Sequence, residues 1–448
     1  MGARLAVLSL LFVCSFAKTY ALAQQANSSA TPVAAPGDGI SLEMIPLPPV
    51  ESDSDGMTLN HFENLALGNN PTLVRASARI QAASGRRMQA GLYPNPEVGY
   101  LASEIGDDGR AGQQGAFVTQ QFVRGQKLAL SQQVFSQEVR QAMRELEAQQ
   151  LRVLNDARRE FYNVLVAQES VKISEELVAI ADKAVTASTE LLEAGESGRA
   201  DLLQAQVELD SAKIGLNNAQ MRYFGAWRRL AAVAGVPAME PARAHGDLHA
   251  SPVNLSWDEE LQRLLGSSPE LAAARAGAAR SQWAVRRARA EPIPNVDVQT
   301  SVQYDNATGD PIAGLQVGIP LPIYNRNQGG IREANAELVA ASAEVNRVEL
   351  ALQERLALAF ERYGRARHQV TTYSQEILPN AQRSLELITL GYQAGEFNYL
   401  TLLTSQRTFS QANLAYLSAL DEMWTSAIEI DGLLLADSLQ AGPSGAAP

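Results

Sequence analysis

The chain repeats itself. Asn70-Pro71-Thr72-Leu73 resembles Ser268-Pro269-Glu270-Leu271 at an offset of 198, and Pro94-Asn95-Pro96-Glu97-Val98 resembles Pro294-Asn295-Val296-Asp297-Val298 at 200. Arg124-Gly125-Gln126 resembles Arg326-Asn327-Gln328 at 202. Ala194-Gly195-Glu196 returns as Ala394-Gly395-Glu396 at 200, and Leu202-Leu203 and Gln206 return as Leu402-Leu403 and Gln406. A near-constant offset kept in one order means two copies of one unit. Length alone, at about 150 residues per domain, would suggest three.

Both copies follow one plan. A short amphipathic segment opens each, Leu59 to Leu67 and Leu255 to Leu265. A helix follows over 72–92 and 270–290. Pro94 and Pro96, then Pro292 and Pro294, stop it, because proline lacks a donor and forces its predecessor into extended geometry. Strands come next. Val296, Val298, Thr300, Val302 and Tyr304 alternate with polar residues, and after a turn at 306–311 Leu315, Val317 and Ile319 do the same. Such alternation gives a strand with one apolar and one polar face. In the first copy the pattern is weaker, through Val98, Tyr100 and Ala102, then Phe117, Val118, Thr119 and Phe122. A soluble hairpin and a membrane-spanning pair both fit it. Tyr93, Tyr100, Phe117, Phe122, Tyr304 and Tyr324 flank the strands and fit either a membrane interface or a soluble core.

The helices that follow are long. No Gly or Pro occurs from Lys127 to Ala194. At 1.5 Å per residue such a helix reaches about 100 Å. Leu146, Val153, Ala157, Phe161 and Val164 form a coiled-coil-like stripe along it. A turn at 195–198 leads to a returning helix over 199–233. The second copy repeats this over 331–394 and 398–436, with Gly364, Pro379 and Gly391 as interruptions and a kink or break expected near Pro379. The four candidate strands are fewer than the roughly eight of the smallest membrane barrels. A barrel built from this chain must therefore be shared between chains.

The ends read differently. Arg4, the apolar run Leu5 to Phe16 and Ala21-Leu22-Ala23 form a signal peptide over 1–23. Residues 24–56 form a linker rich in Pro and Ser, 241–254 a connector between repeats 57–240 and 255–440, and 441–448 a short tail. The single cysteine, Cys14, lies in the signal segment, where the bulky Phe12 and Val13 disfavour lipidation. Cleavage removes Arg4 and Lys18 and no acid, taking the net charge from −12 to −14. An acidic chain without a basic block suits nucleic acid poorly. No apolar run reaches the roughly 20 residues of a spanning helix. Apolar residues at 46% are enough for a core, which excludes wholesale disorder. His245 and His249 flank Asp247 as possible zinc ligands, but third and fourth ligands are not evident. No phosphate loop, nucleophile elbow or zinc-protease helix occurs, so neither catalysis nor a cofactor is indicated.

An exported chain with two copies of helix, strand pair and long helical hairpin resembles the TolC-like outer-membrane efflux family. Leu321-Pro322-Ile323-Tyr324-Asn325-Arg326-Asn327-Gln328-Gly329-Gly330 resembles the segment opening the second long helix in its cobalt–zinc–cadmium branch. Gln120 to Lys127 is the first-half counterpart. The resemblance implies a fold that is mainly α with a β-barrel part. Three chains would share a twelve-stranded outer-membrane barrel continued by a periplasmic coiled-coil tunnel. It implies a homotrimer in outer-membrane lipid, partnered by a periplasmic adaptor and an inner-membrane pump. The tunnel would be a passive duct, opened when coiled coils at its tip splay. Heavy-metal export is the favoured role; drug efflux or type I secretion in the same architecture, and a periplasmic coiled-coil scaffold, are the alternatives.

Tip residues transfer unevenly. The family's paired aperture acids fall on Thr401 and Thr404, which are neutral. Its first-half tip acid matches Asp201, and the position of a latching arginine holds Phe397. Glu196 and Glu396 sit at the two turns. With Asp201 they would give the mouth a negative field that concentrates cations; the alternative is that they serve only as solvated turn or N-cap carboxylates.

Overall fold

The computed structural model describes residues 57–106, 112–249 and 255–440. The signal segment with Cys14, the linker, the tail and residues 250–254 of the connector lie outside them.

Strand β1 (Met57–Thr58) leads into helix α1 (Leu59–Asn69) and then α2 (Pro71–Ala90). Strands β2 (Glu97–Ser103) and β3 (Gln113–Phe122) follow, then the long α3 (Lys127–Glu193) and the returning α4 (Arg199–Val233). Strand β4 (Ala244–His245) pairs in parallel with β1. The second copy runs α5 (Trp257–Ser267), α6 (Pro269–Ala290), β5 (Val296–Asp305) and β6 (Asp310–Gly318). Helices α7 (Gln328–Thr372), α8 (Leu378–Gln393) and α9 (Tyr399–Asp431) complete it.

The duplicated motifs are punctuation. Asn70 and Ser268 cap α2 and α6, their side chains accepting from Thr72 N at 3.0 Å and Leu271 N at 3.3 Å. Pro71 and Pro269 fill the first helical position, where no donor is needed. Gln126 and Asn327 precede the two long helices in the left-handed region, both at φ 56°. Gly195 and Gly395 close them at φ 78° and 75°. There Glu196 N reaches Leu191 O and Glu396 N reaches Gly391 O, each at 2.8 Å, while each glycine N–H reaches the carbonyl three residues back. This is the Schellman ending, which satisfies carbonyls a helix leaves free and favours glycine.

The strands form one antiparallel sheet in the order β2-β3-β5-β6, with the two copies meeting at β3 and β5. Its outer edges, β2 and β6, are unpaired among the described residues. Strand β6 starts at Asp310, inside the stretch expected to be turn, because Asp305 closes a tighter one by accepting from Ala307 N at 2.9 Å and Thr308 Oγ1 at 3.1 Å.

The stripe Leu146, Val153, Ala157, Phe161 and Val164 is buried along α3. The largest core gathers Phe62, Phe161, Trp227, Leu264, Leu271 and Leu420 from both copies. Burying each such side chain contributes about 1.5–3 kcal/mol.

Two expectations need correction. The second long helix is interrupted near Pro379 as expected, but by a wider turn rather than an open break, and not at the two glycines. A π-helical turn, Tyr373–Ile377, joins α7 to α8, and Pro379 falls in the first turn of α8. The wider turn accommodates the missing N–H and the ring, and neither Gly364 nor Gly391 interrupts helix. The final helix ends at Asp431, short of residue 436. Gly432 caps it, and Leu433 and Leu434 turn left-handed at φ 56° and 60°. Asn155 of α3 draws the chain aside, donating from Nδ2 to Gly432 O at 2.8 Å and Leu435 O at 2.7 Å.

Candidate functional site at the hairpin tip and the sheet

The tip is built from the two Schellman turns and the helices on either side. The turns lie close together: Glu196 Oε2 is 3.7 Å from where a side chain on Gly395 would begin. Glu196 and Glu396 are exposed, and Asp201 is half-buried in the first turn of α4. Neither glutamate is an N-cap. Gly198 takes that place for α4, and Asn398 takes it for α9, accepting from Thr401 N at 3.0 Å.

Thr401 and Thr404 spend their hydroxyls locally. Thr401 Oγ1 donates to Asn398 Oδ1 at 2.9 Å, and Thr404 Oγ1 to Leu400 O at 2.8 Å. They line an open groove of about 400 Å³ with Ser384, Ile388, Ser405 and Thr408. Phe397, at the latch position, folds back onto Gly391 of its own hairpin, where a side chain has no room.

Other residues join the two hairpins, and the sequence reading did not single them out. Ser188 Oγ and Tyr392 Oη share a buried hydrogen bond at 2.8 Å. Arg407 Nη2 lies 3.0 Å from Glu208 Oε2. Tyr399 is 2% exposed and meets Tyr392 edge to face at 6.0 Å. Burial, followed by the charge of Glu208, pushes the Tyr399 hydroxyl up to about 12. A signal existed: Glu208 and Arg407 stand 199 apart, the repeat offset itself, so they occupy nearly equivalent levels.

Among the described residues no group of three or more His, Cys, Asp or Glu is placed to hold a metal. His249 Nδ1 instead lies 3.1 Å from Tyr416 Oη and its ring stacks on that tyrosine. His245 belongs to the β1–β4 pair.

At the other end, the register sorts the sheet into two faces. Val98, Tyr100, Val118, Phe122, Val298, Val302, Leu315 and Val317 share one. Much of it is open, with Val98 and Leu315 each 71% exposed. A continuous exposed apolar face of this kind marks a membrane or protein contact. The opposite face carries Gln299, Ser301, Gln303 and Gln316 with Glu97, Asp297, Asp305 and Asp310, and among them the apolar Leu101, Phe117 and Ile312. No Lys or Arg occurs in any of the four strands. No described helix is long and apolar enough to cross a membrane.

A sheet with one lipid-type and one polar face, open at both edges and continued by long paired helices, is the geometry of a shared membrane channel wall. Known proteins agree. The chain is 30% identical to the cobalt-zinc-cadmium resistance protein CzcC of Cupriavidus metallidurans, over 87% of this chain and 93% of that one. It is 26% identical to protein CyaE of Bordetella pertussis, over 90% and 89%. Among solved structures, CusC superposes with a TM-score of 0.71 at 17% identity, covering 85% of this chain and 92% of that one. The outer membrane efflux protein family matches both copies, residues 63–236 and 261–434, and the chain belongs to it.

Proposed function

We propose that the protein is the outer-membrane duct of a tripartite exporter whose cargo is heavy-metal cations. Three copies of the four-stranded sheet supply twelve strands, and the free edges β2 and β6 pair between copies. The apolar face meets lipid and the polar face lines the channel. An adaptor protein of the periplasm and a pump of the inner membrane complete the path, and the pump supplies the energy.

The observation that carries the cargo is the polar face, where every charged side chain is a carboxylate. Three copies multiply that field around one lumen and favour cations over anions. The similarity to a protein named for cobalt, zinc and cadmium resistance supports the same cargo. Glu196, Asp201 and Glu396 extend the negative field to the mouth.

Deleting the gene and restoring it on a plasmid tests the cargo. Tolerance to cobalt, zinc, cadmium, copper or silver should fall on deletion and return on complementation. Unchanged tolerance to all five would overturn it. At the mouth, replacing Glu196 and Glu396 by Gln and Asp201 by Asn should lower cation selectivity in planar bilayers. Unaltered selectivity would remove those residues from the account.

A further inference from the structure

The helices repeat the order of the strands. α2 packs on α3, α3 on α6 and α6 on α7. Helix α2, which leads into β2, and the start of α7, which follows β6, therefore end the row as β2 and β6 end the sheet. Each of these two helices buries one side, Ala83 on α2 and Ala334 on α7, and leaves an open row on the other. On α2 the row is Val74, Ala78, Gln81, Gly85 and Met88. On α7 it is Gly329, Arg332, Ala336, Val339 and Ala343. Steps of three and four alternate in both, the spacing of a coiled-coil seam, and every one of these residues is exposed. Val74, Met88 and Val339 are each 70% exposed, a liability for apolar side chains until another surface covers them. Around Gly85 and Gly329 no atom comes within 4 Å of where a side chain would begin.

The seam between the two repeats supplies a register. There α3 meets α6 antiparallel, with Arg287 Nε donating to Ser131 Oγ at 2.9 Å and Gln141 Oε1 3.8 Å from where a side chain on Gly277 would begin. The repeat offset of 200 carries α3 onto α7 and α6 onto α2. It sets Ile331 level with Arg87 and Ala341 level with Ser77. One residue from that register, the two open rows meet large against small at every level: Val74 on Ala343, Val339 on Ala78, Gln81 on Ala336, Arg332 on Gly85 and Met88 on Gly329. Charge agrees with shape. α2 holds Arg75, Arg79, Arg86 and Arg87 and no acid, while α7 carries Glu333, Glu337, Glu344 and Glu349 against Arg332 and Arg347 over the same stretch. We propose that α2 of one copy packs antiparallel on α7 of the next in this register, so that the seam between copies repeats the seam within a copy. The contact joins two different surfaces, and a ring of copies closes it.

This seam rests on the duct reading, whose three copies it joins. Its test is disulfide trapping in the purified full-length protein, since a disulfide forms only when the two Cβ atoms come within about 4.5 Å. On mild oxidation the double variant Ala78→Cys/Val339→Cys should shift from monomer to covalent dimer and trimer mass on a non-reducing gel, and return on reduction. Each single variant should stay at monomer mass, because one seam holds one α2 and one α7; the single variants also control for links through Cys14. Ala78→Cys/Leu350→Cys, about 16 Å out of register, should stay there too. A second readout avoids disulfide chemistry. Ala78→Leu sets large against large and should lower the temperature at which the trimer dissociates, and adding Val339→Ala should restore it. A trimeric wild type whose Ala78→Cys/Val339→Cys variant stays at monomer mass, or an out-of-register pair that links as readily, overturns the seam. So does an Ala78→Leu trimer that dissociates as wild type does, or one that Val339→Ala fails to restore. A wild-type protein that forms no trimer overturns the duct reading itself, so the two failures are told apart.

Discussion

Asp421 on α9 is a charge in unfavourable company. Burial raises its carboxyl above the usual range, and the nearby Glu160 raises it further, with Arg229 a partial offset. A carboxyl raised in the folded state contributes stability when protonated and loses it as pH rises through the folded value. At neutral pH the residue therefore works against folding. Asp421→Asn should melt a few degrees higher than wild type at pH 7, and the difference should close as pH falls below the raised range. An Asp421→Asn protein that melts lower at pH 7 would refute this. At the tip, Gly395 holds φ 75° at the end of α8. Gly395→Ala should cost about 1 kcal/mol, the penalty of a left-handed residue with a Cβ, read by denaturant unfolding.

The segment after α9 is fastened like a strap. Asp156 of α3 accepts from Asp437 N at 3.0 Å and Ser438 N at 2.5 Å, Asn155 holds two carbonyls, and Gln149 Nε2 donates to Ser438 O at 2.9 Å. Asp156→Ala leaves two backbone donors without their acceptor and should cost about 2–4 kcal/mol, with protease cleavage appearing first near 432–438. Equal protease resistance in the variant would contradict it. This strap shows where sequence reading stops. Helix α3 was legible to within a residue at both ends because glycines bracket it and its stripe is regular. The alternation in β5 was legible because one face is apolar, and alternation is a local property. The end of α9 was not, because Ala436 and its neighbours have helical propensity and side chains far off in sequence, Asn155 and Asp156 of α3, draw the chain aside. The π turn escaped for a related reason. Proline announces a disturbance but not how the backbone absorbs it, and here a π-helical turn over Tyr373–Ile377 does so. The aperture acids were read as a pattern of positions. The residues that join the hairpins, Ser188, Tyr392, Glu208 and Arg407, acquire meaning only when the two copies are laid side by side.

Across the whole molecule, duplication decides the architecture. One unit gives two strands and one long hairpin, and two units give a wall whose edges, β2 and β6, are free among the described residues. Such a wall is incomplete alone, since exposed edges and an open apolar face are liabilities until other chains and lipid cover them. The acidic balance of the sequence, −12 overall, is expressed locally in strands that hold carboxylates and no cations. Charge, edge and face are the grounds for the proposed cation-favouring channel shared between copies. The direct measurement is the reversal potential of the purified protein in planar bilayers under a salt gradient. A cation-favouring channel gives a steady conductance whose reversal potential shifts towards the cation equilibrium value. A protein that fractionates as soluble and conducts nothing, or one whose reversal potential favours anions, would contradict it.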